Sequence, residues 1–144
     1  MKRIFLLMVI CCFVATKGFG QVQPPKDNKD NPNGPEITFE FTEYDFGSVP
    51  LKGLAECEFS FVNTGKEPLI VFSCQATCGC TVPTCPKEKP VNPGEKGSIK
   101  VKFTSTSSPG TFDKYFTVTT NAKNSVVRLT IKGVVSQNAE TASN

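Results

Sequence analysis

The 144-residue chain has no histidine and no tryptophan. Without an imidazole there is no Ser–His or Cys–His nucleophile pair and no histidine ligand for a metal. No P-loop and no dinucleotide-type glycine pattern follows an apolar strand, which excludes nucleotide chemistry of those kinds. No stretch carries a sustained apolar stripe of helical period. A charge surplus is also missing once the first twenty residues are set aside. Those residues hold Lys2, Arg3 and Lys17 and no acid, so 16 basic residues fall to 13, against 13 acidic ones. A chain so balanced releases few counterions, which argues against nucleic acid and against a charged membrane surface as partners.

Long apolar runs are equally scarce. The longest spans Ile4 to Ala15, well short of the roughly 20 residues a membrane-crossing helix needs. Lys2 and Arg3 precede it, and Gly18 and Gly20 put small residues at the −3 and −1 positions of a cut before Gln21. This pattern predicts a secretory signal peptide over residues 1–20. Cys11 and Cys12 follow Ile10 and Cys11 rather than a small residue, which argues against a lipid-attachment site. After cleavage no transmembrane segment remains, and the expected location is the periplasm, the cell surface or the medium.

What is present is a short polar lead and then a run of alternating segments. Residues 21–35 hold four prolines, three asparagines and almost no apolar residues, a composition that predicts a disordered linker. Residues 136–144 read as a polar, frayed tail, leaving 36–135 as the folded unit. Within it, Ile37, Phe39 and Phe41 alternate with polar residues, as do Cys57, Phe59 and Phe61, and Ile99, Val101 and Phe103. Phe112, Lys114, Phe116 and Val118 open a further strand, and Val126 to Val135 closes the unit. A period of two marks strands with one buried and one wet face. Turn signals at Asn63-Thr64-Gly65, Asn92-Pro93-Gly94, Ser108-Pro109-Gly110 and Asn121 to Asn124 separate them. The expectation is an all-β, immunoglobulin-like β-sandwich of about seven strands. Its core is built on Phe39, Phe41, Phe46, Phe59, Phe61, Phe72, Phe103, Phe112 and Phe116.

Few residues are left to carry chemistry. Glu56 and Glu58 lie opposite the apolar phase of their strand, and Lys100, Lys102, Lys87 and Lys89 are equally exposed by pattern, so a solvated face explains them. The cysteines are the distinctive set. Cys57, Cys74, Cys78, Cys80 and Cys85 remain after the signal peptide, an odd number, so at least one is free, binds something or pairs with another chain. Cys57 is in phase with Phe59 and Phe61, and Cys74 with Ile70 and Phe72. A reversal near Asn63 to Glu67 would bring the two together, and a Cys57–Cys74 disulfide is expected. For the loop cysteines three readings stand side by side. Cys85 bonds to Cys78 or Cys80; or Cys74, Cys78, Cys80 and Cys85 bind Cu(I) or Zn(II) as soft ligands; or Cys78 and Cys80 cycle between dithiol and disulfide across Gly79.

Six segments occur in order: YDFGSVPLKG (44–53), FSFVNTGKEPLIV (59–71), CGCTVP (78–83), VNPGEKGSIKVKF (91–103), PGTFDKYFTVTTN (109–121) and LTIKG (129–133). Together they resemble the DUF1573 family, an exported bacterial domain of unknown function, and more loosely the PapD and ASH-type immunoglobulin-like modules. The resemblance implies a fold, an exported location and no established activity. The chain adds Cys57, Cys74 and Cys85 to the commonest family pattern. The functional expectation is an exported, non-catalytic binding or structural module without a cofactor. Its partner would be another exported protein or a cell-envelope component, met through end loops or an edge strand. The alternative is a cysteine-loop site for metal or thiol redox chemistry. The odd cysteine leaves room for a cross-linked dimer.

Overall fold

The structure is a computed structural model that describes residues 31–87 and 89–137. The expected signal peptide over residues 1–20, most of the expected 21–35 linker and the tail from residue 138 lie outside the described residues. Eight strands follow one another: β1 (Ile37–Phe39), β2 (Glu43–Pro50), β3 (Leu54–Asn63), β4 (Val71–Ala76), β5 (Thr81–Thr84), β6 (Lys96–Thr104), β7 (Gly110–Thr120) and β8 (Val126–Ser136). They form two four-stranded sheets, ordered β1-β3-β6-β5 and β2-β8-β7-β4. All neighbours run antiparallel except β2 and β8, which are parallel.

The period-two pattern explains why the sheets stack. Along β3 and β6, Cys57 opposes Val101, Phe59 opposes Ile99 and Ala55 opposes Phe103, so both apolar sets share one face. Along β7 and β8, Phe116 opposes Leu129 in the same manner. Phe59, Phe61, Phe103, Phe116, Leu129 and Ile131 are all buried. Rings meet across the sandwich, with Phe59 edge-on to Phe116 at 5.7 Å and Phe103 stacked on Phe112 at 4.2 Å. Burying a side chain of this size contributes roughly 1.5–3 kcal/mol. Gly97 is required by this packing, since a Cβ there would lie 2.4 Å from Cζ of Phe61. Gly94 supplies the left-handed backbone, φ 76°, that turns the chain into β6.

The sandwich is the expected one, with an eighth strand. β2 and β5 lack the clean apolar alternation that marks β3 and β6. Two of the nine expected core phenylalanines are exposed, Phe41 and Phe72. For Phe72 the cause is a β-bulge between Val71 and Ser73. It resets the side-chain phase, turning Val71 and Cys74 inward and Ile70 and Phe72 outward. The disordered linker also needs correction at its end. Gly34 and Pro35 are buried, Lys123 N–H donates to the Pro35 carbonyl, and the Asn31 amide reaches Glu67. Backbone hydrogen bonds, which composition does not report, hold residues 31–35 to the domain.

Candidate functional site

β4 and β5 are edge strands of opposite sheets on the same side of the sandwich. Cys74 lies on β4 and Cys85 follows β5, and the two form a disulfide with Cα atoms 6.1 Å apart. The turn between these strands carries a second disulfide, Cys78–Cys80, with Cα atoms 5.4 Å apart. Among the described residues the free cysteine is Cys57. The expected Cys57–Cys74 bond is therefore not formed, and neither is a bond from Cys85 to Cys78 or Cys80. β3, which carries Cys57, pairs with β1 and β6 in one sheet, whereas β4 is the far edge of the other. A chain reversal after Asn63 does not make β3 and β4 neighbours, so the two cysteines are laterally displaced.

The two bridges differ in what they constrain. Cys74–Cys85 spans 11 positions and ties one sheet to the other; on the loop-entropy expression it contributes about 3 kcal/mol. Cys78–Cys80 spans two positions, and the same expression gives about 1.5 kcal/mol. Beneath the smaller ring lies Thr81, 3% exposed, whose Oγ1 is 3.7 Å from Cys78 Sγ and 3.9 Å from Cys80 Sγ. Cys57 is partly buried against the core, and burial pushes its thiol up from 9.0 to about 12. It is a poor nucleophile at neutral pH. The metal reading requires thiolates at Cys74, Cys78, Cys80 and Cys85, and the structure holds all four as disulfides. Among the described residues no group of three or more metal-ligating side chains gathers.

The charged residues stay on the surface. Lys102 pairs with Glu56 at 3.0 Å, both more than half exposed, and such pairs contribute little.

Sequence reasoning overlooked the outer face of the β2-β8-β7-β4 sheet. Across it, Ser73, Thr119 and Val126 are in register, as are Gln75, Thr117 and Arg128. Val126 is 62% exposed, Phe72 42% and Tyr115 37%. The Arg128 guanidinium lies over the Tyr115 ring, 4.1 Å from its centroid. Toward β2 the face becomes charged, where Lys132 bonds Glu43 and its ammonium is favoured by that carboxylate and by Asp45 and Asp113. Beside the β2 bulge a hollow of about 470 Å³ is lined by Asp45, Ser48, Thr111, Asp113, Lys132 and Val134. The alternation in β7 and β8 shows these residues pointing outward; only the register shows that they converge.

Two stacked four-stranded sheets form an immunoglobulin-like β-sandwich. The ASH/PapD-like domain 7 of human CEP192 is similar, with TM-score 0.56, 11% identity, and 76% of this chain and 90% of that domain covered. A Porphyromonas gingivalis W83 protein of unknown function has TM-score 0.60 at 13% identity; the overlap covers 71% of this chain but only 47% of that one. The Escherichia coli chaperone DraB gives TM-score 0.50 at 12% identity, covering 72% of this chain and 56% of the chaperone. Identities this low establish the fold alone. Residues 37–135 match the model of the family described as "Protein of unknown function (DUF1573)", and the chain belongs to that family. No curated protein matches it. Two disulfides, and no helix among the described residues long and apolar enough to cross a membrane, are compatible with an extracytoplasmic domain.

Proposed function

We propose that this chain is an exported, non-catalytic binding module that engages a protein of the cell envelope through the outer face of its β2-β8-β7-β4 sheet. One observation carries the reading. Half of that face exposes Phe72, Tyr115 and Val126 among uncharged threonines and Gln75, with Arg128 as its only charge among the described residues. Aromatic residues and arginine, with other charges depleted, are the composition of protein-binding surfaces. The opposite outer face is unlike it, carrying Glu56, Glu58, Lys100 and Lys102 in register.

The edge strands favour the face over strand addition. β1 is three residues long, β5 contains Pro83, β2 is bulged between Asp45 and Ser48, and β4 is tied to Cys85. Each of these devices blunts an edge against pairing. The partner surface that fits is apolar, with a carboxylate to meet Arg128.

The test uses the full chain as bait for envelope extract, beside a Tyr115→Ala/Val126→Asp variant and a Glu58→Ala/Lys100→Ala control on the other face. The reading expects one stoichiometric partner, retained by wild type and control and reduced at least tenfold by the face variant. Retention by all three alike, or by none, overturns it. Both variants alter exposed side chains, so their unfolding midpoints should stay near that of the wild type.

A further inference from the structure

The two disulfides of the β4–β5 connection are unequal, and the smaller one has the surroundings of a reactive group. We infer that Cys78–Cys80 is a thiol–disulfide exchange site that accepts electrons from a dithiol, with Thr81 positioned to hold the thiolate that leaves.

Three observations carry this. The bridge spans two positions at the turn between edge strands and joins no separate elements, so the fold does not depend on it as it depends on Cys74–Cys85. Access is open, because Gly79 is exposed and a Cβ built there meets nothing within 4 Å. The third observation is Thr81. Its hydroxyl belongs to a residue only 3% exposed, and among the described residues its hydrogen-bonding contacts are the two bridge sulfurs. A disulfide sulfur is a weak acceptor, whereas a thiolate in the same place is a strong, charge-assisted one. A buried hydroxyl paired only with weak acceptors gains a proper partner when the bond opens. Within the segment from Cys74 to Cys85 cysteine is the only ionisable residue type, and the lysines in register with β5 are Lys102 opposite Val82 and Lys100 opposite Thr84.

The step balances with a dithiol as co-reactant. Cys80 packs against the core, so the thiolate of the dithiol attacks Sγ of Cys78. A mixed disulfide forms and the Cys78–Cys80 bond breaks, its electron pair leaving on Cys80 Sγ. That thiolate accepts a hydrogen bond from Thr81 Oγ1 and takes a proton from water. The second thiol of the reductant, losing its own proton, attacks its partner sulfur and releases Cys78 as a thiol. Two electrons and two protons have then passed to the CGC pair, and the dithiol has become a disulfide.

The test treats the native full chain with graded dithiothreitol, quenches with iodoacetamide and maps alkylated cysteines by peptide mass. Cys78 and Cys80 should become alkylated at a dithiothreitol concentration at least tenfold below that needed for Cys74 and Cys85. Thr81→Val, matched in shape, should slow opening of the CGC bond by about tenfold while leaving the Cys74–Cys85 rate unchanged, and Thr81→Ser should restore it. Loss of both bridges together, or a Thr81→Val protein that opens at the wild-type rate, overturns the inference. The Cys74–Cys85 rate in each sample shows whether a variant has merely loosened the fold. Neither outcome bears on the sheet face, which lies on different residues.

Discussion

Cys74 on β4 and Cys85, immediately after β5, are bonded to each other across the edge where the two sheets meet. No backbone ladder joins these sheets, so the bond fixes a relation that side-chain packing alone would otherwise hold. Replacing both residues by alanine should lower the unfolding free energy by about 3 kcal/mol, and replacing both Cys78 and Cys80 by no more than about 1.5 kcal/mol. Urea unfolding of the two double variants without reductant checks this ranking, and the reverse order would contradict it.

Asn63 should be among the least replaceable polar residues. It is fully buried, and its amide nitrogen donates to the carbonyls of Glu67 and Val91 at 2.8 and 2.9 Å. Its oxygen accepts from the backbone N–H of Gly65 at 3.0 Å and of Glu36 at 3.4 Å. One side chain thus satisfies groups from the start of the fold, the β3–β4 turn and the approach to β6. Asn63→Leu takes this partner from the Glu67 carbonyl and from the N–H groups of Gly65 and Glu36, while the Val91 carbonyl keeps the Leu69 N–H. It should cost about 3 kcal/mol, taking roughly 1–3 kcal/mol for each group so stranded, partly relieved by water. Chemical denaturation measures it directly.

The Cys57 thiol makes stability pH-dependent in a definite direction. Burial raises its pKa from 9.0 to about 12, so the folded protein keeps a proton that the unfolded chain releases near pH 9. The contribution is complete below pH 9 and lost progressively as pH rises toward 12. The excess stability of wild type over Cys57→Ala should therefore shrink between pH 8 and pH 11. Native alkylation at pH 8 should also leave Cys57 largely unmodified until the domain unfolds. Fast labelling of native Cys57, or a pH-independent difference, would contradict the burial argument.

How much of this was legible in the sequence varies by element. β3 and β6 alternate strictly, so Phe59, Phe61, Ile99, Val101 and Phe103 announce both their strands and their inward face. β4 does not, because the bulge at Val71 and Ser73 shifts the phase midway. Cys74 is consequently grouped with Ile70 and Phe72 by counting, although the structure turns it the other way. β5 has four residues, one of them proline, and no apolar alternation, so the cysteine corner reads as a loop. The metal reading follows from that omission, whereas the Cys57–Cys74 reading follows from taking the reversal after Asn63 to bring β3 and β4 together, although they lie in different sheets. Asn31 to Pro35 shows a further limit, since hydrogen bonds from distant residues order a segment whose composition suggests none. The outer face of β7 and β8 is visible as alternation, but the meeting of Tyr115 with Arg128 depends on register, which lies outside single-strand patterns.

The central claim is that the uncharged half of the β2-β8-β7-β4 face is a binding surface. Thr117 stands at its middle, between Gln75 and Arg128 in register, and Lys100 stands on the opposite outer face. A photoreactive amino acid at each position, in the full chain expressed in its own cells, tests the claim most directly. A single discrete cross-linked species from position 117, absent from position 100, is the predicted result. No adduct from position 117, or the same products from both positions, would contradict it.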